Sequence, residues 1–283
     1  MKRIRITHLT EYFYRESVQF GVHRALMRPR EGYDLHIVAG RLLITPNSTV
    51  RWLRDLNGNS VAVITFNEPS HHLRIFSEVD VDLFDDELIE CHVDAEAKSF
   101  PFEYPASEQL GLVPFRLPSY PLDELLLKQW LLHLYQPGQL VDTLGLLRNL
   151  NTRIYEAFQY LHRDDPGVQS PAETISKGSG SCRDYAVLMM EAARHWGMAA
   201  QFVTGYIQMA DGQHGATHAW TEIYLPGVGW QGFDPTNNKL AGDEHISVAV
   251  APHPAQASPL SGSWTGPSGA FQSLQVSVQV VAA

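Results

Sequence analysis

The hydrophobic period of this chain changes along its length, and that change limits the folds open to it. Up to about residue 95 apolar residues alternate with polar ones, as in Leu73, Ile75, Val79, Val81 and Leu83. Alternation marks half-buried strands. "RLLITPNSTVRWLRDLNGNSVAVITF" holds two such runs around Asn57-Gly58-Asn59, a hairpin signal. Pro29, Pro46 and Pro69 punctuate the runs. Short strands at this spacing predict an N-terminal β-sandwich over residues 1–95. Pro101, Pro105, Pro114, Pro118 and Pro121 follow. Proline cannot donate to a helix or sheet ladder, so residues 96–122 read as a linker or docking loop.

From residue 123 the spacing turns helical. "LDELLLKQWLLHLY" and "LGLLRNLNTRIYEAFQYLHR" repeat apolar residues at three and four, and Asp142 or Thr143 can cap the second helix. Ser170, Pro171 and Glu173 form a helix start with cap, N1 proline and N3 acid. Gly178 and Gly180 end that short helix. A further helix runs from 182 to 196, with Gly197 at its C′ position. "AAQFVTGYIQM", "THAWTEIYL" and "WQGFDPT" read as strands, and so does the terminal "LQVSVQV", which chain order assigns to a domain spanning 123–283. The class is α+β.

The sequence has 283 residues, 44% hydrophobic, with formal net charge −10. Nucleic acid is an unsuitable partner, because phosphate binding needs clustered Lys and Arg. No run approaches the ~18 apolar residues of a membrane span. The basic N-terminus "MKRIRITHLTEYFY" has no apolar stretch behind it. A soluble cytoplasmic protein without a signal peptide is expected, its oligomeric state unassigned. Two cysteines, Cys91 and Cys182, make neither a disulfide framework nor a cysteine-rich zinc site.

Cys182 falls at the start of a helix, where amide N–H groups lack intrahelical partners and the macrodipole is positive. Both favour thiolate, the nucleophilic form. The backbone N–H of Cys182 is a candidate oxyanion donor. Gly180 and Ser181 precede the sulfur and are candidates to border a substrate. The alternative is an ordinary buried helix cysteine. His218 and Asp234 lie on successive strands with the same parity. If they oppose one another directly, the hairpin is centred on Pro226 with an odd loop, and both side chains share a face. An Asp beside a His holds its tautomer; alternatively it serves only turn chemistry before Pro235. Trp220 and Trp230 either line an acyl-binding cleft or fill the sheet core. His214 and His218 lack a nearby third ligand, so neither a metal nor another cofactor is expected. Cys91 has no visible base and reads as inert.

"GSGSCRDYAVLMMEAARHWGMAAQFVTGY", "HAWTEIYLPGVGW" and "GFDPTNN" resemble the core of the transglutaminase-like superfamily, in its bacterial form. "THLTEYFY", "ITPNSTVRWLRDLNGN" and "HHLRIFSEV" are similar to the N-terminal domain that accompanies this core in bacteria. The resemblance implies a papain-like core in which a Cys-bearing helix packs on an antiparallel sheet carrying His and Asp. It places the nucleophile on Cys182, the base on His218 and the orienting carboxylate on Asp234. It implies acyl transfer on a peptide or protein amide through a thioester: hydrolysis first, transamidation second. A peptide-binding module on an idle core is the rival reading. Eukaryotic relatives hold the oxyanion with an upstream Trp; Gln159, Gln169 and Trp130 are the candidates here, and none is singled out. Where relatives carry an Arg-Asp-Tyr segment, this chain reads Pro252-His253-Pro254.

Overall fold

The computed structural model describes residues 1–84, 92–163, 165–208 and 217–283. The N-terminal strands are β1 (Lys2–Phe20), β2 (His23–Ala25), β3 (Leu35–Thr45), β4 (Ser48–Arg54), β5 (Ser60–Phe66) and β6 (Ser70–Leu83). β4 and β5 form the expected hairpin, with Arg54 opposite Ser60 and Gly58 at φ 76° in the turn. Asp55 shapes that turn by accepting from the Asn57 and Asn59 amides. Tyr14, Val18 and Phe20 of β1 and Leu73 and Ile75 of β6 pack on Ala62, Ile64 and Phe66 of β5. Two sheets closed over these side chains make the sandwich.

Chain order would give the C-terminal strands to the core domain; instead they complete the sandwich. β18 (Phe271–Ala282) pairs antiparallel with β1 from Ile4↔Ala282 to Tyr14↔Phe271, while β6 pairs with the other side of β1 and β3 with β6. β17 (Trp264–Thr265) also joins β1, and β16 (Leu260–Ser261) joins β2. Without β18 the long β1 would leave an open row of N–H and C=O groups, the edge that folds avoid.

The predicted linker is also different. It contains a helix, α1 (Ala106–Arg116). The prolines bracket it: Pro105 precedes its first turn, Pro118 follows its end, and only Pro114 lies inside, in the last turn. Counting prolines without their positions hides such a helix. The segment is anchored by Tyr104, whose hydroxyl donates to Tyr224 O at 3.0 Å and accepts from the Ala199 amide at 2.8 Å.

The core follows. β7 (Ser99–Phe100) pairs with β8 (Val141–Asp142). Helices α2 (Glu124–Leu131), α3 (Thr143–Ala157), α4 (Pro171–Lys177) and α5 (Cys182–His195) surround one another. Asp142 caps α3, accepting from the Gly145 amide at 2.6 Å. Short parallel strands β9 (Gln159–Tyr160) and β10 (Ser179–Gly180) lie between helices. The antiparallel sheet is ordered β14 (Lys239–Leu240), β13 (Gly229–Asp234), β12 (His218–Leu225), β11 (Ala200–Ile207), β15 (His245–Ala251). α5 is the central element, with Tyr185 to Met190 almost wholly buried. It lies on the face of β12 that carries Ala219, Ile223 and Leu225, and Thr221 donates its hydroxyl to Ala186 O at 2.6 Å. Each fully buried apolar side chain there contributes roughly 1.5–3 kcal/mol. No helix among the described residues is long and apolar enough to cross a membrane.

Sandwich and core share packing. Ile4, Ile6, Val79, Val81, Val278 and Val280 meet Tyr206, Ile246 and Val248. His8 is buried within that contact, Nδ1 at 2.9 Å from the Tyr206 hydroxyl, and burial lowers its pKa to about 4. Asn59 supplies a second tie: its side-chain amide donates to Val250 O at 2.8 Å and accepts from Val250 N at 3.0 Å, as a strand neighbour would.

Candidate active site

The approach to Cys182 is built by two successive caps. Ser170 and Glu173 form the capping box of α4, and Gly178 closes that helix at φ 66°. One β-bridge later Ser181 begins α5 in an extended conformation. Asp184, at N3, is fully buried. It accepts from the Ser181 amide and hydroxyl, both at 2.8 Å, from Gln169 N at 2.6 Å and from Arg163 at 2.8 Å. Burial opposes its charge, but these hydrogen bonds prevail and hold its carboxyl below the usual carboxylate range. Asp184 is structural, as its first-turn position suggests. Cys182 is then the first helical residue, a partly buried free thiol.

His218 opens β12 and Asp234 ends β13, at the same end of their hairpin. Thr221↔Phe233 and Leu225↔Gly229 centre the hairpin on Gly227, at φ 83°, one residue beyond Pro226. The loop is the odd, three-residue one. The shift makes His218 and Asp234 diagonal rather than opposed. Parity is unchanged, so they still share a face, and His218 Nε2 lies 2.9 Å from Asp234 Oδ2. Asp234 is fully buried and accepts everywhere it can. Oδ2 also takes Asn237 Nδ2 at 2.7 Å and His245 Nε2 at 3.0 Å, while Oδ1 takes the Thr236 and Asn237 amides at 3.0 and 3.2 Å. The turn role and the histidine-holding role therefore belong to the same side chain.

Burial alone would depress the His218 pKa. The hydrogen bond with Asp234 and the neighbouring Cys182 sulfur outweigh it and push the ring up to about 10. Burial also disfavours charge on Asp234, yet its imidazole partners draw its carboxyl far below the usual range. Since Nε2 serves Asp234, Nδ1 is the ring atom left for the sulfur. The structure places Cys182 beside the His218 ring and the ring on Asp234. Tyr160, absent from the residues named above, joins them as a neighbour of Cys182, and burial together with that neighbour raises the phenol to about 12. Its place follows from the bridge Gly180↔Tyr160 and from its edge-on contact with Tyr185, ring centroids 6.2 Å apart. No local motif announces it.

The residues expected to border substrate have other roles. Gly180 is buried, and a Cβ there would meet Asp184 at 2.9 Å and Tyr185 at 3.2 Å, so its missing side chain makes room for protein. Ser181 is buried as the helix cap. Trp220 is 2% exposed, packed with Val203 and Val250 and edge-on to His245 at 5.2 Å. Trp230 packs on Phe115 and Tyr224 at the far end of the hairpin from His218. Bulky strand aromatics here fill cores, not the cleft. Of the upstream oxyanion candidates, Gln169 is committed to Asp184 and the Ser179 carbonyl, and Trp130 stacks on Phe158. Gln159 lies in the β9 bridge beside Tyr160. His214 and Cys91 lie outside the described residues.

The ligand atoms of His218, Asp234 and His245 fall within 4.8 Å of one another. Their hydrogen bonds have the wrong sense for a cation. His245 Nδ1 accepts from the Gly242 amide at 3.3 Å, so Nε2 carries the hydrogen that Asp234 receives. Both rings point N–H groups at one carboxylate, where a metal would need lone pairs.

An uncharacterized protein of Mycobacterium tuberculosis is 29% identical over 280 residues, covering 92% of this chain and 87% of that protein. A second uncharacterized protein, from Mycobacterium leprae, is 29% identical over 107 residues, 35% of this chain and 38% of its own length. The crystal structure of a "putative cysteine protease" from Cytophaga hutchinsonii superposes with a TM-score of 0.74 at 18% identity, covering 100% of this chain and 91% of that one. That likeness establishes the fold. Residues 4–82 match the bacterial transglutaminase-like N-terminal region, and residues 139–235 match the transglutaminase-like superfamily core. With the sandwich, the Cys-bearing helix and the antiparallel sheet arranged as above, the chain belongs to the transglutaminase-like superfamily and carries its bacterial N-terminal region.

Proposed function

We propose that this protein is a cysteine-dependent acyl-transfer enzyme that hydrolyses peptide or isopeptide-like amides. The observation that carries the reading is the His218 ring, hydrogen-bonded to Asp234 at 2.9 Å and close enough to Cys182 for the sulfur to help raise its pKa. His218 takes the thiol proton and the sulfur attacks the amide carbonyl carbon. The carbonyl oxygen becomes an oxyanion beside the Cys182 N–H, which as the first helical amide has no intrahelical acceptor. Collapse breaks the C–N bond, His218 returns its proton to the leaving amine, and a thioester remains. Water, deprotonated by His218, attacks the thioester; the C–S bond breaks and a carboxylic acid leaves. A primary amine in place of water gives transamidation. No step requires a cofactor.

Tyr160 supplies the second oxyanion donor in this reading, because the bridge to Gly180 brings it next to Cys182. Tyr160→Phe is expected to lower kcat about 10- to 100-fold with KM little changed, less than the loss of a fully buried donor because the phenol is half exposed. A kcat within twofold of wild type removes Tyr160 from the hole.

The test of the main reading is mass spectrometry on a glutamine-containing peptide library, with and without a primary amine. Chain cleavage or deamidation by wild type and none by Cys182→Ala supports hydrolysis. A product heavier by the amine less the ammonia released moves the reading to transamidation. Conversion by Cys182→Ala at the wild-type rate would remove cysteine chemistry altogether.

A further inference from the structure

We propose that His245 is a positioning residue for the candidate triad: a second imidazole, from another strand, that holds the same Asp234 oxygen as His218. The inference rests on the acyl-transfer reading and adds a member to its site.

His245 opens β15, at the sheet edge away from β13. Two strands, β11 and β12, separate it from Asp234. Its Nε2 nevertheless lies 3.0 Å from Asp234 Oδ2, and its side chain is 2% exposed. Three features let it reach. β15 shifts register against β11 between Thr204 and Gly205. At Gly205 a Cβ would sit 2.1 Å from Ile246 O and 2.6 Å from the Trp220 ring, so only glycine admits this approach. Trp220 then forms the floor, edge-on to His245 at 5.2 Å and stacked with His218 at 6.2 Å. A backbone bulge and a glycine are thus used where they bring one ring to one oxygen.

The electrostatic consequence concerns the carboxylate. Oδ2 receives His218, His245 and Asn237. Asn237 belongs to the same turn as Asp234 and moves with it. His245 comes from another strand and is fixed by Trp220 and by the Gly242 amide on Nδ1. It therefore holds Oδ2 in place while His218 gains and loses a proton. Without it the carboxylate is free to turn, and His218 loses the alignment of Nδ1 on the sulfur. Orienting partners of this kind are worth about 10- to 100-fold in activity at metal sites, where the same logic applies.

The test needs no knowledge of substrate. The rate of iodoacetamide alkylation at Cys182 is followed by peptide mapping in the full-length protein, with circular dichroism as the check on folding. His245→Leu and His245→Asn, which lack an N–H at the Nε2 position, are expected to alkylate about 10- to 100-fold more slowly than wild type. His245→Gln, whose amide reaches that position, is expected to stay within about threefold. The Asn and Gln variants carry the decision if Leu fails to fold. Fast wild-type alkylation with all three variants equally fast, or with Gln as slow as Leu, overturns the inference and leaves the acyl-transfer reading standing. Wild-type Cys182 reacting no faster than free cysteine overturns the acyl-transfer reading, and the inference with it.

Discussion

Asp234→Asn is expected to lower kcat/KM about 10³- to 10⁴-fold while KM stays within a few fold. Both carboxylate oxygens occupy acceptor positions: Oδ1 faces two backbone amides, and Oδ2 faces two imidazoles and Asn237. An asparagine NH₂ fits neither place. The backbone amides are fixed by the turn, so the NH₂ takes the Oδ2 side and donates to His218 Nε2. That forces the ring hydrogen to Nδ1, where it faces the sulfur and cannot accept the thiol proton. The pH profile should move as well. Asp234 stabilises the protonated ring and contributes to its pKa of about 10. Removing the carboxylate lowers that value, so the alkaline limb of activity should shift to lower pH. A variant within tenfold of wild type, with an unmoved alkaline limb, would show that His218 is oriented by something else.

Local features were the ones legible in the sequence. The capping box of α4, the glycine C-caps at Gly178 and Gly197, and the β4–β5 turn each depend on residues within four or five positions, so their chemistry is written in order. His218 and Asp234 were readable because a hairpin joins them and parity survives a one-residue error in its centre. What failed were pairings across long stretches of chain. Strand β18 reads as a strand, but nothing within it names β1 as partner. Tyr160 reaches Cys182 only through the bridge to Gly180, and His245 reaches Asp234 only through the close approach at Gly205. With 13 histidines in the chain, no local signal separates His245 from the rest. Trp220 and Gly180 failed for a different reason. Their residue types suit both a cleft and a core, and only packing decides between them.

The largest stability effect is expected from Arg194→Met. Arg194 and Glu191 form an ion pair at 2.8 Å inside the protein, with side-chain exposures of 1% and 3%. Arg194 also donates to Phe115 O at 2.9 Å, Ala200 O at 2.8 Å and Pro252 O at 2.6 Å, and Glu191 accepts the Ser119 amide at 2.9 Å. The pair therefore ties the proline-bracketed segment and the loop after β15 to the helix that carries Cys182. Replacing the guanidinium leaves three carbonyls short of a donor and one buried carboxylate without its counter-charge. The cost should be about 3–5 kcal/mol, or a fall of roughly 10 °C in Tm. Burial already pushes the Glu191 carboxyl above its usual range, although Arg194 opposes that shift. Without Arg194 the folded-state value rises further above the unfolded one, and the folded chain binds the proton more readily. Stability is then retained below the ordinary glutamate pKa of about 4.3 and lost as pH rises above it. The deficit of the variant, measured by urea unfolding, should be larger at pH 8 than at pH 5. A deficit under about 1 kcal/mol, or one equal at both pH values, would mean that packing of the Arg194 stem rather than its charge anchors the segment.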